Sequence, residues 1–476
     1  MKNNSFAGCT AGVRHFCMLA LAIFLSVVSA HAGEKVIFQF NANQGFNPNT
    51  GLISDNAGNF YGTANGGIGN CSNVYELSPG SNGTYTETIL YTFQNCNRSG
   101  LYPIGALSID KTGNLYGAEY GFSAADGSGL VFELTKQTNG TFTYSVLHNF
   151  GGNEGGPFGD FAWDSAGNIY GATSHDSTTF NGEVFELSPQ PNGSWKETVL
   201  YQFPAPNGVG SPSGSVVLDA QGNLYGALFY GIDGYEGKSR GAVYELARQS
   251  SGPWKLILLY NFLSGSGADY PNSRLIFDAS GNLYGTAQGA KYGSVFELSP
   301  TSSGVWTETT IHTFTAGKDG ANPTGANLVF DASGNLWGIT PSGGIGCNHN
   351  LCGVVYKLSP QSGGTWTETT IHTFAAGKDG ANPSGANLVF DASGNLWGTT
   401  PTGGIGCNRN LCGVVYKLSL QTGGTWTEAI VHPFESASDG SEPDAGLFLD
   451  SSGNLYGTTY HGGSRYGYGT VFEITP

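Results

Sequence analysis

The sequence is short of charge. Asp, Glu, Lys and Arg make up 11% of its 476 residues, against about 25% in an average soluble domain. The charge present is mostly negative, 35 acidic side chains against 19 basic ones, and the basic residues nowhere form a cluster. Such a surface repels nucleic acid and anionic lipid, so neither is expected as a partner. Long apolar runs are missing too, apart from one between Phe16 and Ala30. Lys2, Arg14 and His15 precede that run, and Ala30-His31-Ala32 follows it as a small-x-small cleavage site. Residues 1–32 are therefore expected to be a secretory signal peptide. A membrane anchor is the poorer reading, because about 15 apolar residues are short for a bilayer. No membrane span is expected after cleavage, and the product should be secreted or periplasmic. Nucleophile elbows, phosphate-cradling glycine loops and paired metal-ligand motifs are also lacking.

Glycine is abundant instead, 76 residues in all, and aromatics reach 13%. That composition suits short strands joined by tight turns. The pattern Asp-x-x-Gly-Asn-(Leu/Phe/Ile)-(Tyr/Trp)-Gly occurs eight times, starting at Asp55, Asp110, Asp164, Asp219, Asp278, Asp331, Asp391 and Asp450. Asp can cap backbone N–H groups in such a turn, and Gly can supply a positive φ. An apolar strand precedes each turn and a second strand leaves it. A glycine-rich loop then leads to a third strand, such as Val354-Val-Tyr-Lys-Leu358. A further hairpin gives a fourth, in which Trp366, Glu368, Thr370 and His372 alternate. A proline stands seven or eight residues before each turn Asp and holds the strand entry extended.

The ends are offset against this unit. The chain stops after a third strand, Val471-Phe-Glu-Ile474, while Glu34 to Phe40 reads like a fourth. The N-terminal strand can thus complete the last sheet and close a ring, leaving no open edge. The expected fold is all-β, an eight-bladed β-propeller of four-stranded antiparallel blades, filling residues 33–476 as one domain. A monomer is expected. Residues 307–366 and 367–426 differ at only 7 of 60 positions, an internal duplication.

The unit Asp-x-x-Gly-Asn-Leu-Tyr-Gly-Thr-Thr, followed by Gly-Gly and Val-Phe-Glu-Leu, resembles the GloVer-type (Gloeo/Verruco) tandem repeat of exported bacterial proteins. The resemblance runs through the whole mature chain and implies an extracytoplasmic repeat protein, with no activity to carry over. More loosely, the turn is similar to those of NHL-type propellers, sugar lactonases and streptogramin lyases. That likeness concerns blade scaffolding.

Candidate sites are few. The eight turn aspartates repeat in every blade, so a structural cap is the expected role. Cys71, Cys96, Cys347, Cys352, Cys407 and Cys412 remain after cleavage and lie on one face; disulfides 71–96, 347–352 and 407–412 are expected in an exported chain. Zinc held by the two Cys-x4-Cys loops is the alternative. His148, His312, His372 and His432 share one fourth-strand position with Tyr91, Tyr201 and Tyr260, which points to packing. His175, Glu119 and His461 form the weak acid–base candidates near the channel mouth. Links between blades bring Asp269, Asp319, Asp379 and Asp439 to the same face, and Tyr230 and Tyr460 lie in its loops. These carboxylates and aromatics could bind a cation or a polyhydroxylated ligand. The expected function is non-catalytic binding of a carbohydrate or an extracytoplasmic protein, with no cofactor beyond a conceivable divalent cation. A metal-dependent lactonase- or lyase-like enzyme and a structural or adhesive surface protein are the alternatives.

Overall fold

The computed structural model describes residues 33–476, apart from 43–44, 49, 67–70, 82, 94–101, 121–128, 152–154, 175–181, 204–210, 231–238, 264–267, 290, 324–326, 347–351, 384–386, 405–411, 436–437 and 464–466. The proposed signal peptide, His175, Cys96, Cys347 and Cys407 lie outside the described residues. Every regular element described is a strand. The strands form eight antiparallel sheets, seven of them running in sequence order from an inner first strand to an outer fourth strand. In the first blade the inner strand is broken in two, Phe46–Pro48 and Ile53–Ser54, both paired with Phe60–Gly66. The eight-bladed propeller read from the sequence is what the chain forms.

The closing blade draws on both ends of the chain. Its inner three strands are Phe448–Leu449, Leu455–Thr459 and Thr470–Thr475. Its outer strand is Gly33–Gln39, one residue earlier than the pattern suggested, paired antiparallel with Gly33 opposite Thr475 and Gln39 opposite Thr470. Ile37 and Phe40 are buried there among Leu52, Tyr75, Tyr456 and Val471.

Each Asp-x-x-Gly-Asn turn follows one design. At Asp391, Oδ1 accepts from the backbone N–H groups of Ser393 and Asn395, both at 2.9 Å. Oδ2 accepts from Asn395 Nδ2 at 2.8 Å and Trp397 Nε1 at 2.9 Å. Gly394 takes φ +78° to complete the turn. The Tyr or Trp six residues on donates to the turn Asp in all eight blades. The same aromatic then meets the fourth strand of the next blade: Trp337 packs on Trp426 at 5.1 Å and Tyr284 on Trp366 at 5.8 Å between ring centroids. The glycine that ends the motif is a packing requirement. A Cβ on Gly398 would enter the ring of the buried Tyr416 on the neighbouring third strand. One octapeptide therefore builds the turn, its cap and the seam to the next blade.

Candidate functional site

A cavity of about 400 Å³ is lined by Gly51, Ala106, Asp160, Asn327, Asn387 and Gly446, among others, which lie in or just before the innermost strands of six blades. A cavity bounded by inner strands on opposite sides of the ring lies on the propeller axis, and its volume falls within the range of small-ligand pockets, roughly 300–1,000 Å³. These six residues all stand four positions before a turn Asp. In the remaining two blades that position holds Ser215 and Arg274. The ring thus reads Gly51, Ala106, Asp160, Ser215, Arg274, Asn327, Asn387 and Gly446 around the channel.

Its polar members bind one another across blades. Arg274 Nη1 lies 3.5 Å from Asp160 Oδ2, with both side chains about 40% exposed. Asn327 Nδ2 donates to Asn387 Oδ1 at 3.0 Å, and Ser215 Oγ accepts from the Asp160 N–H at 2.8 Å. At this ring position blades three to seven contribute side chains that donate and accept hydrogen bonds, while blades eight, one and two contribute Gly or Ala. Asp444, two residues before Gly446, adds a carboxylate to the bare side. The ring side chains are thus larger and polar on one flank and small on the other, where Thr50 and Asp444 supply the polar groups.

The link carboxylates are tied into the protein. Asp319 Oδ2 lies 3.2 Å from His312 Nε2 and accepts from the Thr315 N–H at 3.0 Å, while its Oδ1 accepts from the Thr315 hydroxyl at 2.6 Å. Asp439 Oδ2 lies 3.0 Å from His432 Nε2 and accepts from the Glu435 N–H. Asp379 accepts from the Ala375 N–H at 3.0 Å and stands 3.6 Å from His372. Burial would raise the Asp379 carboxyl, but the His372 and backbone contacts outweigh it and hold it below its ordinary range. Asp319 and Asp439 are buried, and Asp379 and Asp269 half-buried. The fourth-strand histidines also pack as expected, each edge-on to the Phe two residues later at 4.7 Å. Their pairing with link aspartates seven residues on was missed; the recurring His-x6-Asp spacing in blades five to seven was the available signal.

The acid–base candidates sit in different seams. Glu119 belongs to a second strand and is 2% exposed; burial pushes its carboxyl up to about 8. His461 Nδ1 is 3.3 Å from Asn47 Nδ2, and its ring stacks on Tyr460 at 4.7 Å. Tyr230 packs at right angles to Phe229, which lies 5.2 Å from Tyr270. Tyr270 has φ +58° just before Pro271, where Asn47, Asn322, Asn382 and Glu442 take the same left-handed conformation before their prolines. A bulky ring is costly there. The Phe229 and Tyr230 rings and the Arg240 guanidinium beside Tyr270 hold it in place. Cys71, Cys352 and Cys412 are disulfide-bonded.

The fold and its polar axis define an eight-bladed propeller with a small-molecule-sized channel. Its family follows from the repeat: the Gloeobacter/Verrucomicrobia repeat matches residues 23–237, 157–407 and 346–476, and the chain belongs to that family. No curated protein matches the sequence. Among solved structures, a protein from Lactobacillus plantarum is similar at 14% identity and TM-score 0.45, over 82% of this chain and 94% of that one. A family PL25 ulvan lyase is similar at 11% identity and TM-score 0.45, over 84% and 96%. An ancestral GH74 enzyme is similar at 11% identity and TM-score 0.43, over 88% and 55%.

Proposed function

We propose that this protein is a non-catalytic binding propeller that acts outside the cytoplasm and holds a polyhydroxylated, carbohydrate-type ligand in its central channel. The observation that carries the reading is the ring four residues before the turns. Asp160, Arg274, Asn327 and Asn387 offer carboxylate, guanidinium and carboxamide groups, which between them can donate to and accept from neighbouring hydroxyls. Gly51, Ala106 and Gly446 leave room opposite for the body of such a ligand. At the adjacent loop face, Tyr230, Phe229 and Tyr270 supply rings for stacking, and Asp269, Asp319, Asp379, Asp439 and Tyr460 form the surround.

The absence of catalysis is supported by the separation of Glu119 and His461 into different seams, since acid–base work needs its groups within hydrogen-bond reach of one reacting atom. Export is supported by the disulfide-bonded cysteines, because such bonds persist in oxidising compartments. The pairings that fit the sequence are 71–96, 347–352 and 407–412.

Glycan-array binding by the purified chain tests the reading. The double variant Asp160→Asn, Asn387→Ala should lose most retention of the bound glycan without a change in melting temperature. Retention of no glycan, or equal retention by the variant, would refute the channel as a carbohydrate site. Turnover of a bound glycan would refute the non-catalytic part.

A further inference from the structure

The duplicated blades differ where their outer edges meet the following blade. In each case a fourth-strand His faces a link Asp and a Glu from the next fourth strand. Between blades five and six both carboxylates carry a hydroxyl partner: Thr315 Oγ1 donates to Asp319 at 2.6 Å, and Thr370 Oγ1 to Glu368 at 3.0 Å. Between blades six and seven both hydroxyls are gone. Ala375 replaces the Thr beside Asp379, and Ile430 stands two residues after Glu428 where Thr would be.

The consequence is a set of donor atoms with spare valence. His372 Nε2 lies 3.3 Å from Glu428 Oε1 and 3.6 Å from Asp379 Oδ2, and the three donor atoms fall within 4.8 Å of one another. His372 Nε2 and Glu428 Oε1 are buried, and neither makes a hydrogen bond of good geometry; their polar contacts are the long ones within the cluster itself. The three side chains keep 18%, 20% and 13% of their surface exposed, so the cluster lies just beneath the surface rather than deep in the core. Zinc–ligand bonds to imidazole and carboxylate, at tetrahedral angles, place donor atoms roughly 3.3–3.6 Å apart. That is the spacing of His372 to its two carboxylates. Among the described residues no other group of three His, Cys, Asp or Glu side chains brings its donor atoms within 4.8 Å of one another.

We infer that His372, Asp379 and Glu428 form a divalent-metal site of the zinc class, which bridges blades six and seven and leaves one coordination position for water. One imidazole nitrogen and two carboxylate oxygens satisfy a first-row divalent ion and neutralise two positive charges. The site is separate from the central channel and does not depend on the carbohydrate reading.

The test uses the full chain, unreduced and freed of metal by a chelator. Calorimetric titration with zinc should give one equivalent per chain, and zinc should raise the melting temperature. Cobalt substitution should give the visible bands of a tetrahedral nitrogen–oxygen site without a thiolate charge-transfer band. His372→Ala should abolish binding, whereas His312→Ala, one seam away, should leave it unchanged. The double variant Ala375→Thr, Ile430→Thr restores the hydroxyls found in the twin and should weaken zinc by about tenfold or more, with the fold intact because those residues already occupy the equivalent positions. No zinc uptake, a thiolate band, or affinity that both the His372 variant and the Thr double variant leave unchanged would overturn the assignment.

Discussion

Two sets of aspartates occupy opposite faces of this propeller, and they are held very differently. The turn aspartates recur eight times, each accepting from two backbone N–H groups, an Asn amide and an aromatic donor. The link aspartates recur after the fourth strands of blades five to seven, each beside a histidine and a backbone N–H, and only Asp319 also has a hydroxyl. Asp319 has a histidine, an N–H and a hydroxyl; Asp379 has lost the hydroxyl. Repeated, saturated carboxylates mark the frame. The link carboxylates have fewer and less uniform partners, so they contribute less to it. Four predictions break or sharpen that division.

The largest effect should come from opening the frame. Deleting residues 33–40 removes the buried Ile37 and Phe40 and exposes the edge of Thr470–Thr475; a loss of more than about 5 kcal/mol is expected, with aggregation. Calorimetry on the shortened and intact chains decides this, and equal melting would contradict closure by the terminal strand. Next comes the contrast between the two kinds of aspartate. Asp391→Ala orphans two backbone N–H groups and the Trp397 indole, and should cost about 2–4 kcal/mol. Asp379→Asn should cost about 1 kcal/mol or less. Urea denaturation of both variants measures the gap; equal costs would erase the distinction.

The third prediction concerns pH. Burial alone would raise the carboxyls of Asp55, Asp110, Asp164, Asp331 and Asp391, but their hydrogen bonds outweigh it and hold them below the ordinary range. Their stabilisation is present above the unfolded-state value, about 3.9, and is lost as pH falls through the folded values. Glu87 and Glu119 are pushed up to about 8, chiefly by burial. Those groups stay protonated in the folded state, so stability falls as pH rises from the unfolded value, about 4.3, to the folded ones. Melting temperature should therefore peak in mildly acid solution, and Glu119→Gln should flatten the decline on the alkaline side. A maximum near pH 8 would contradict both assignments. The smallest effect should follow Lys136→Ala, which removes a 3.5 Å contact to Asp55. It should change stability by less than about 1 kcal/mol, and salt should abolish the difference; a larger loss would show that the turn caps depend on outside charges.

Most of the frame was legible because its chemistry is local. Asp391, Gly394, Asn395 and Trp397 lie within seven residues, and repetition in eight copies isolates the pattern from its background. The offset of Glu34 to Phe40 against Val471 to Ile474 likewise announces ring closure. The channel ring escaped notice for the opposite reason. Asp160, Arg274 and Asn327 share only a distance to the next turn Asp, their residue types differ, and no repeat search rewards variety. The cluster of His372, Asp379 and Glu428 needs two further facts that sequence spacing does not carry. Adjacent outer strands bring residues 372 and 428 together, and the missing hydroxyls at Ala375 and Ile430 matter only once those neighbours are known. His-x6-Asp was visible, but its meaning depended on the bend of the link.

The clasp between Gly33–Gln39 and Thr470–Thr475 makes the closing blade depend on residues far apart in the sequence. Seven blades can assemble from near neighbours as each stretch becomes available, whereas the eighth requires residues from the two extremes of the described chain. Until Thr470–Thr475 is present, Gly33–Gln39 has no native place in a sheet, and the last unit lacks its outer edge. Such distant pairing is intrinsically slow and leaves a sticky intermediate while it waits. A chain lacking either strand would keep that sheet edge exposed, open to pairing with another chain.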